Sequence, residues 1–289
     1  MAAPDAVAQL SKDLLKDKGI VAPKQAITKE FFNIEKGVEP VTDDPLHASV
    51  MTRMSLSRHG LGVSIWLSIC YIEIMRGTNE LCSNMQMPSE ITHKCLCFQT
   101  MFLQAHGKGI TYGPCDFGTL ERNSSTDVSN PRGGVTLPFF HYFSDANLDV
   151  SSVTGGIGML AKGAVMAVSQ RQHLASPCVH TSEVVAASCN LNLLVPVSGV
   201  LQELRIRLGS KIPFYLDSLT TVFVAKSDTA IKKSVWLIRR AAVLEDGVTN
   251  GEIEPLHISE RDMAADPFTK YLPRDVWIRH MQFVTNSQS

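Results

Sequence analysis

Four acidic residues stand where the predicted secondary structure changes, and carboxylates are the side chains that hold hard metal ions. Asp145 and Asp217 each close a predicted strand. Glu183 lies in the first turns of a long predicted helix, and Asp262 opens a predicted terminal helix. Successive acids are separated by 38, 34 and 45 residues. Because strand ends and helix starts of an α/β fold converge on one edge of the sheet, we expect these carboxylates to meet there.

Carboxylates that lie close together raise each other's pKa unless cations neutralise them. Mg²⁺ prefers oxygen ligands, and two such ions about 3.5–4 Å apart support phosphodiester hydrolysis. The four acids therefore predict a site for two Mg²⁺ ions, with Mn²⁺ as the alternative metal. A plainer interpretation stays open, because the chain has 28 acidic residues among 289 and most such side chains are solvated charges or helix caps.

The elements that must position these acids follow from the pattern of the second half of the chain, where short apolar strands alternate with helical segments. We predict strands over residues 139–146, 155–160, 163–168, 212–218 and 253–258. We predict helices over residues 183–208, 219–225 and 232–244, and the start of a terminal helix over 262–268. Pro196 is expected to kink or end the first of these helices. The alternation indicates a mixed α/β domain.

Glycines 155, 156 and 158 are followed by no Gly-Lys-Ser/Thr sequence and no helix start, so they do not indicate a phosphate-binding loop. We expect them to lie in a crowded strand.

At its four acids the chain resembles the ribonuclease H domain at the C-terminal end of copia-type LTR retrotransposon polyproteins. The resemblance covers residues 138–285, and the segments that carry it, in chain order, are Ser144–Ala146, Ala161–Val165, Ser169–Gln172, Thr181–Glu183, Tyr215–Asp217, Ala225-Lys226, Asn250–Glu254, Asp262–Lys270 and Leu272-Pro273. The block Asp262–Lys270 is the most specific of them.

The resemblance implies a ribonuclease H-like mixed five-stranded sheet flanked by helices. It also implies cleavage of the RNA strand of RNA–DNA hybrids, with two metal ions held by the four acids in catalytic roles: Asp145, Glu183, Asp217 and Asp262. The 2′-hydroxyl would distinguish RNA from DNA.

Some positions depart from the family pattern. The family's Glu-x-Glu pair is replaced by Thr181-Ser182-Glu183, and its Asp-Asn-Gln by Asp217-Ser218-Leu219. Pro196 interrupts a helix that is continuous in the family. These changes indicate a divergent or decayed element copy.

Further residues are candidates for substrate binding and for support of the metal site. The candidate phosphate-binding groups are Arg171, Lys232, Lys233, Arg239 and Arg240. The alternative for the last four is a solvated helical face. Asp149 and Asp266 are predicted to support the metal shell from outside. His173 and His180 are candidate proton-transfer groups, with ordinary surface histidines as the alternative.

The first half of the chain carries less chemistry. Residues 1–45 are polar, and we interpret them as a leader, whereas residues 46–112 favour a small helical segment that is clearest at residues 89–105. This segment is similar to the stretch that follows the polymerase palm in such polyproteins. Residues 113–137 have the Gly, Pro, Asn and Ser content of a linker. Because the palm is missing, DNA synthesis is not expected, and the remainder of a reverse transcriptase is a candidate partner.

Composition excludes several other classes. With 44% hydrophobic residues and a net charge of −1, the chain is globular and has no overall basic field. Seven cysteines without paired Cys-x-x-Cys sets indicate free thiols, and the cluster of His93, Cys95 and Cys97 is a weak zinc candidate. The apolar stretch at residues 60–72 is shorter than a membrane span, and the charged N-terminus is unlike a signal peptide. We therefore expect an intracellular protein without a membrane partner.

Two hypotheses follow from the sequence. The first is a metal-dependent endoribonuclease that acts on RNA–DNA hybrids. The second is a catalytically inactive remnant of a retroelement with at most weak nucleic-acid binding.

Overall fold

The computed structural model describes residues 3–15, 48–107, 109–112, 128–129, 136–137, 140–149, 151–173, 176–206, 208, 211–226 and 235–287. The chain forms two compact units. One contains residues 1–110 and 271–279, and the other contains residues 111–270 and 280–289.

The first unit is built from helices. These are α1 (Ala3–Leu15), α2 (Ala48–Cys70), α3 (Met75–Cys82) and α4 (Glu90–His106), with a 3₁₀ turn at Ile72–Ile74. The helix predicted at residues 89–105 is confirmed. Ser89 caps it because its Oγ accepts a hydrogen bond from the Thr92 backbone N–H at 3.1 Å.

Helix α1 packs against α2 and α4, and its Leu10 and Leu14 side chains are buried. Ser11 Oγ donates to Gln104 Oε1 of α4 at 2.8 Å. The segment predicted as a leader thus begins with a packed helix. Residues 16–45 of that segment lie outside the described residues.

The second unit contains the sheet. A short antiparallel pair joins β1 (Val128–Ser129) to β2 (Thr136–Leu137) within the predicted linker, whose other residues from 113 onward are outside the described ranges. The main strands are β3 (Phe140–Ala146), β4 (Val153–Leu160), β5 (Gly163–Arg171), β6 (Ile212–Leu216) and β7 (Ile253–His257). Their order is β5-β4-β3-β6-β7, with β5, β4 and β3 antiparallel and β3, β6 and β7 parallel. This is the mixed five-stranded sheet that the resemblance implies.

Helices flank this sheet: α5 (Val179–Glu203), α6 (Leu219–Lys226) and α7 (Val235–Thr249). The last helix, α8 (Arg274–Thr285), has residues 274–279 in the first unit and residues 280–285 in the second. Helix α5 packs on β3 and β4 and contacts α7. The core between sheet and helices includes Tyr142, Phe214, Val184, Leu191 and Leu244. Parallel pairing of β3, β6 and β7 requires crossover connections, and α5, α6 and α7 lie in those connections.

Of the two outcomes predicted for Pro196, a kink or an end of the helix, the end is wrong, and the helix predicted to start at residue 262 is also wrong. Pro196 does not end α5, which continues to Glu203. Proline removes one backbone hydrogen bond, but Leu191, Leu194 and Leu201 remain buried on the same helix and hold it in place. The helix predicted from residue 262 is instead a pair of 3₁₀ turns, Glu260–Asp262 and Asp266–Phe268, and α8 begins only at Arg274.

Helix α5 is the one described helix that is long and apolar enough to cross a membrane by length and composition. The expectation of no membrane span rests on residues 60–72, and α5 is a longer apolar segment than these. Half of its most apolar window is buried in the fold. The helix covers the sheet, with Val184, Ala187, Leu191 and Leu194 in the core.

The glycines of β4 allow close packing on both faces of the sheet. A Cβ at Gly156 would collide with the Tyr142 hydroxyl and the Asn190 amide, and one at Gly155 would collide with Thr269. Neighbouring residues of a strand face opposite sides, so α5 approaches one face and the segment at residues 265–269 approaches the other. The crowded strand expected from the sequence is confirmed.

A buried polar network joins α5 to the sheet. Asn190 is fully buried, and its Nδ2 donates to Ser144 Oγ and to the Gly155 carbonyl, each at 2.8 Å. Tyr142 Oη donates to Asn190 Oδ1 at 3.1 Å. Because buried amides must keep their hydrogen bonds, this network allows α5 one position along β3 and β4.

Gly156→Ala is expected to destabilise the protein by about 1–3 kcal/mol, since the added methyl group overpacks the contact with Tyr142 and Asn190. Gly199→Ala, in the same unit, is the matched control. A Cβ there meets nothing within 4 Å, and alanine is the better helix former. Chemical denaturation measures both. Equal free energies of unfolding for the two variants would contradict this account of the packing.

Candidate metal centre

The structure brings three of the four predicted acids together. Asp145, Glu183 and Asp217 each offer a carboxylate oxygen, and these oxygens lie within 4.8 Å of one another. Asp145 is fully buried and Glu183 is 3% exposed, whereas Asp217 is half-buried. Among the residues that the structure describes, this is the one group of three or more potential ligands close enough to share a metal ion.

The strand register places Asp145 beside Asp217. β3 and β6 are parallel neighbours, and Ser144 lies opposite Leu216. Asp145 follows Ser144 in β3, and Asp217 directly follows the last residue of β6. The two acids therefore lie at the same edge of the sheet on neighbouring strands, whose backbones are about 4.8 Å apart. A shift of one residue in this pairing would turn one carboxylate to the other face.

Glu183 reaches the same edge from helix α5. Its Oε1 accepts a hydrogen bond from the Ala146 backbone N–H at 3.4 Å, directly after Asp145. Asn190 lies about two turns further along the helix and holds it to Ser144 of the same strand. The network at Asn190 therefore sets the distance between Glu183 and Asp145.

Asp262 does not join this group. It lies in the turn Glu260–Asp262, where its Oδ2 accepts a hydrogen bond from Ser259 Oγ at 2.9 Å. Asp266, predicted only as a supporting residue, is 4% exposed and lies closer to the site. Its Oδ1 is 3.1 Å from Lys270 Nζ, and that ammonium is also 3.4 Å from Asp145 Oδ1.

Sequence reasoning missed Thr269 and Lys270. Thr269 Oγ1 donates a hydrogen bond to Asp145 Oδ2. The same hydroxyl oxygen lies 3.1 Å from the Asp266 carbonyl oxygen, which helps to fix its position. Lys270 is the cation of the cluster and keeps 30% of its side chain exposed. Both residues belong to the block Asp262–Lys270, so the signal that could have revealed them was the specificity of that block.

The carboxylates of the cluster are hard to ionise. Burial, together with the charge of Asp266, raises the pKa of Asp145 to about 8, although Lys270 and Thr269 act in the opposite direction. Burial and the charges of Asp145 and Asp217 raise the pKa of Glu183 well above its ordinary value. Burial also raises the pKa of Asp217, and it raises that of Asp266 to about 6. Burial lowers the pKa of Lys270, but the neighbouring carboxylates outweigh it and leave that pKa raised.

The donor set fits a hard divalent cation. Every ligand atom is a carboxylate oxygen, which suits Mg²⁺ or Mn²⁺ better than the softer metals that prefer sulfur or imidazole. Bound positive charge would also offset the burial and mutual repulsion that raise the pKa values. By contrast, the weak zinc candidate brings Cys97 Sγ within 3.8 Å of His93 Nε2, but among the described residues His93, Cys95 and Cys97 do not form a group of three close ligand atoms.

The other predicted site residues that the structure describes differ in their exposure and contacts. Asp149 is exposed in the turn after β3. His173 is exposed beyond β5, and burial lowers the pKa of half-buried His180. On α7, Arg239 is exposed, and Arg240 donates to Cys189 Sγ of α5 at 3.7 Å. Lys232 and Lys233 lie outside the described residues.

Arg171 ends β5 on the same face of the sheet as Asp145. Asp145 lies opposite Gly155, and Gly155 lies opposite Ser169. Directly paired residues share a face, as do residues two apart on one strand, so Arg171 belongs to the face of Asp145. Ser169 lies two strand spacings, about 10 Å, across the sheet from Asp145, and Arg171 is two residues further along β5.

Comparison with known proteins gives limited matches. No protein-family model matches the chain, and no curated protein matches it. A similar solved structure is the N-terminal ribonuclease H domain of Rv2228c from Mycobacterium tuberculosis, fused to maltose-binding protein, with 11% identity over 50% of this chain and 96% of that chain and a TM-score of 0.37. Another is LC11 ribonuclease H1 isolated from compost, with 14% identity over 45% of this chain and 91% of that chain and a TM-score of 0.36.

The class of the fold follows from the sheet itself. Its strand order β5-β4-β3-β6-β7, the antiparallel and parallel pairings, and the flanking helices define a ribonuclease H-like α/β fold. A helical segment precedes it along the chain.

Without metal, the stability of the protein is expected to fall as the pH rises from about 4 to about 8. Asp145 has a pKa of about 8 in the folded protein and about 3.9 when unfolded, so over this interval the folded state holds the additional proton. Raising the pH therefore favours unfolding, by about 1 kcal/mol per pH unit. Thermal unfolding in chelator across this interval measures the effect.

Asp145→Asn is the matched variant for this measurement, because an amide of the same shape does not titrate. We expect its stability to vary less with pH than that of the wild type. A steeper or unchanged profile in the variant would show that Asp145 does not carry the pH dependence.

Proposed function

We propose that this chain is a metal-dependent endoribonuclease that cleaves the RNA strand of RNA–DNA hybrids. The observation that carries the proposal is the meeting of Asp145, Glu183 and Asp217, which come from three different elements, within 4.8 Å at one sheet edge. A cluster of buried carboxylates destabilises a fold unless it binds cations, so its presence needs a functional reason. Phosphodiester hydrolysis assisted by divalent metal is the chemistry that such an oxygen donor set supports.

Within this proposal, Asp145, Glu183 and Asp217 hold Mg²⁺ or Mn²⁺. The bound metal supplies an activated water and offsets the charge that develops on the phosphate. Asp145 is central because it is adjacent to Asp217 and Glu183, accepts from Thr269 and pairs with Lys270. Thr269 orients the Asp145 carboxylate through its Oδ2.

For the fourth acid we propose Asp266 in place of Asp262. Asp266 shares the Lys270 ammonium with Asp145, and its charge contributes to the raised pKa of Asp145. Asp262 is occupied by the hydroxyl of Ser259 in its own turn. Asp262 and Asp266 are four residues apart, so the two candidates for the fourth acid belong to the same short segment.

For substrate binding we propose Arg171 as the first phosphate contact. It lies on the same face of the sheet as Asp145, on a strand whose backbone is about 10 Å from β3 across the sheet. This distance suits a phosphate of the same duplex a short way from the cleaved bond. Arg239, Arg240, Lys232 and Lys233 remain candidates for further backbone contacts. With a net charge of −1, binding of a hybrid should depend steeply on salt.

We further propose that the chain derives from a copia-type retrotransposon polyprotein, as the order of the matching segments suggests. The alternative is a catalytically inactive remnant. Leu219 favours it, since the family has an amide there and this leucine is 54% exposed just after Asp217. The assay below decides between the two.

We expect the purified chain to cleave the RNA strand of a labelled RNA–DNA hybrid in Mg²⁺ or Mn²⁺ and to stop when the metal is chelated. Asp217→Asn should lower the rate by about a hundredfold or more, because the amide is a poor metal ligand. Equal trace activity in the wild type and in this variant would support the inactive remnant.

The same assay separates the two assignments of the fourth acid. Asp266→Asn should lower cleavage by about tenfold or more, while Asp262→Asn should retain activity close to the wild type. The variants are a matched pair, since each replaces one carboxylate by an amide within the same segment. The opposite ranking would restore Asp262 to the site.

A further inference from the structure

Lys270 is the one described cation in ion-pair contact with the buried carboxylates of the site. Its Nζ lies 3.4 Å from Asp145 Oδ1 and 3.1 Å from Asp266 Oδ1. The charge of Asp217 also acts on it. The ammonium therefore sits between two acids that come from different parts of the chain, 121 residues apart.

The backbone around Lys270 is fixed by short-range contacts. Its N–H donates to the Asp266 carbonyl at 2.8 Å, and the preceding residue, Thr269, donates to Asp145. Ser169 of β5 donates to the Phe268 carbonyl at 2.7 Å. These contacts hold the start of the lysine side chain beside the cluster, and 30% of the side chain is exposed.

The geometry offers distinct places for positive charge. Asp145, Glu183 and Asp217 converge on one position that a single ion can share. Asp266 is outside this group, and a cation that it shares with Asp145 would lie between these two carboxylates. The Lys270 ammonium is located between them.

We propose that Lys270 is a positioning residue that takes the place of the second cation, so that a second divalent ion enters only when the ammonium leaves. This inference rests on the proposed function, because it concerns the same carboxylates. The first ion binds at Asp145, Glu183 and Asp217 with the lysine in place. The second ion competes with the lysine for Asp145 and Asp266, and its affinity is weaker for that reason.

The test is Mn²⁺ binding to the full chain, measured by electron paramagnetic resonance of free Mn²⁺ and by calorimetry. We expect the wild type to bind one ion tightly and a second at least about tenfold more weakly. Lys270→Met should tighten the second site by about tenfold or more, because a unit positive charge is removed from its ligands. Lys270→Arg keeps the charge and should leave the second site weak.

Lys162→Met is the matched control. Lys162 is exposed in the turn between β4 and β5, beyond Leu160, whereas Asp145 pairs with Gly155 near the other end of β4. The variant makes the same substitution and the same change in net charge away from the site. We expect its two affinities to match those of the wild type.

The outcomes separate this inference from the proposed function. Two ions of equal affinity in the wild type, or a second affinity that Lys270→Met leaves unchanged, would overturn the role of Lys270 and leave the metal centre intact. Failure of both the wild type and Lys270→Met to bind Mn²⁺ would overturn both proposals. An equal gain of affinity in Lys162→Met would show that only net charge matters, and it too would overturn the inference.

Thermal unfolding in chelator at a pH above about 8, where Asp145 and Asp266 are both ionised, provides a second measurement that does not require metal binding. Lys270→Met should lower the melting temperature, because Asp145 and Asp266 lose their shared counter-charge, and Asp266→Asn in the same chain should restore part of the loss. A Lys270→Met protein as stable as the wild type would contradict the ion pair itself. The Lys270→Gln variant serves for the binding measurements if the methionine variant does not fold.

Discussion

Repulsion among buried carboxylates is the constraint on which the rest of this structure depends. Asp145 has no exposed surface, and Glu183 and Asp266 have almost none. Charged groups so poorly hydrated must be protonated, paired or bound to cations. In this fold the carboxylates are contacted by one lysine, one threonine hydroxyl and one backbone N–H, so a single positive charge offsets them and a bound cation would add more.

Close packing on both faces of β4 brings these groups together. Gly156 lets α5 approach the sheet closely enough for Asn190 to bind Ser144 and the Gly155 carbonyl, which sets the position of Glu183. Gly155 lets the segment with Thr269 approach the opposite face. The cluster thus depends on glycines that have no chemistry of their own.

The acids and the lysine differ in how rigidly they are held. Asp145 belongs to a central strand, and Glu183 belongs to a long helix anchored by a buried amide. The Lys270 backbone is held by the Asp266 carbonyl, whereas its ammonium, at the end of four rotatable side-chain bonds, is held by ion pairs with Asp145 and Asp266. Rigidly held carboxylates beside a lysine with a flexible side chain allow one cation to replace another without rearrangement of the fold.

Much of the fold and part of the site are determined by the sequence alone. Alternating apolar runs locate the strands, and acids at strand ends identify Asp145 and Asp217, because parallel neighbours end at one sheet edge. Only the tertiary structure shows that Asp266, and not Asp262, shares an ion pair with Lys270 beside Asp145, because the turn Asp266–Phe268 packs on β4 and accepts a hydrogen bond from Ser169 of β5. It also decided that α5 passes through Pro196 and that Lys270 faces Asp145. A local pattern states what each residue prefers, whereas these outcomes depend on contacts between segments far apart in the chain.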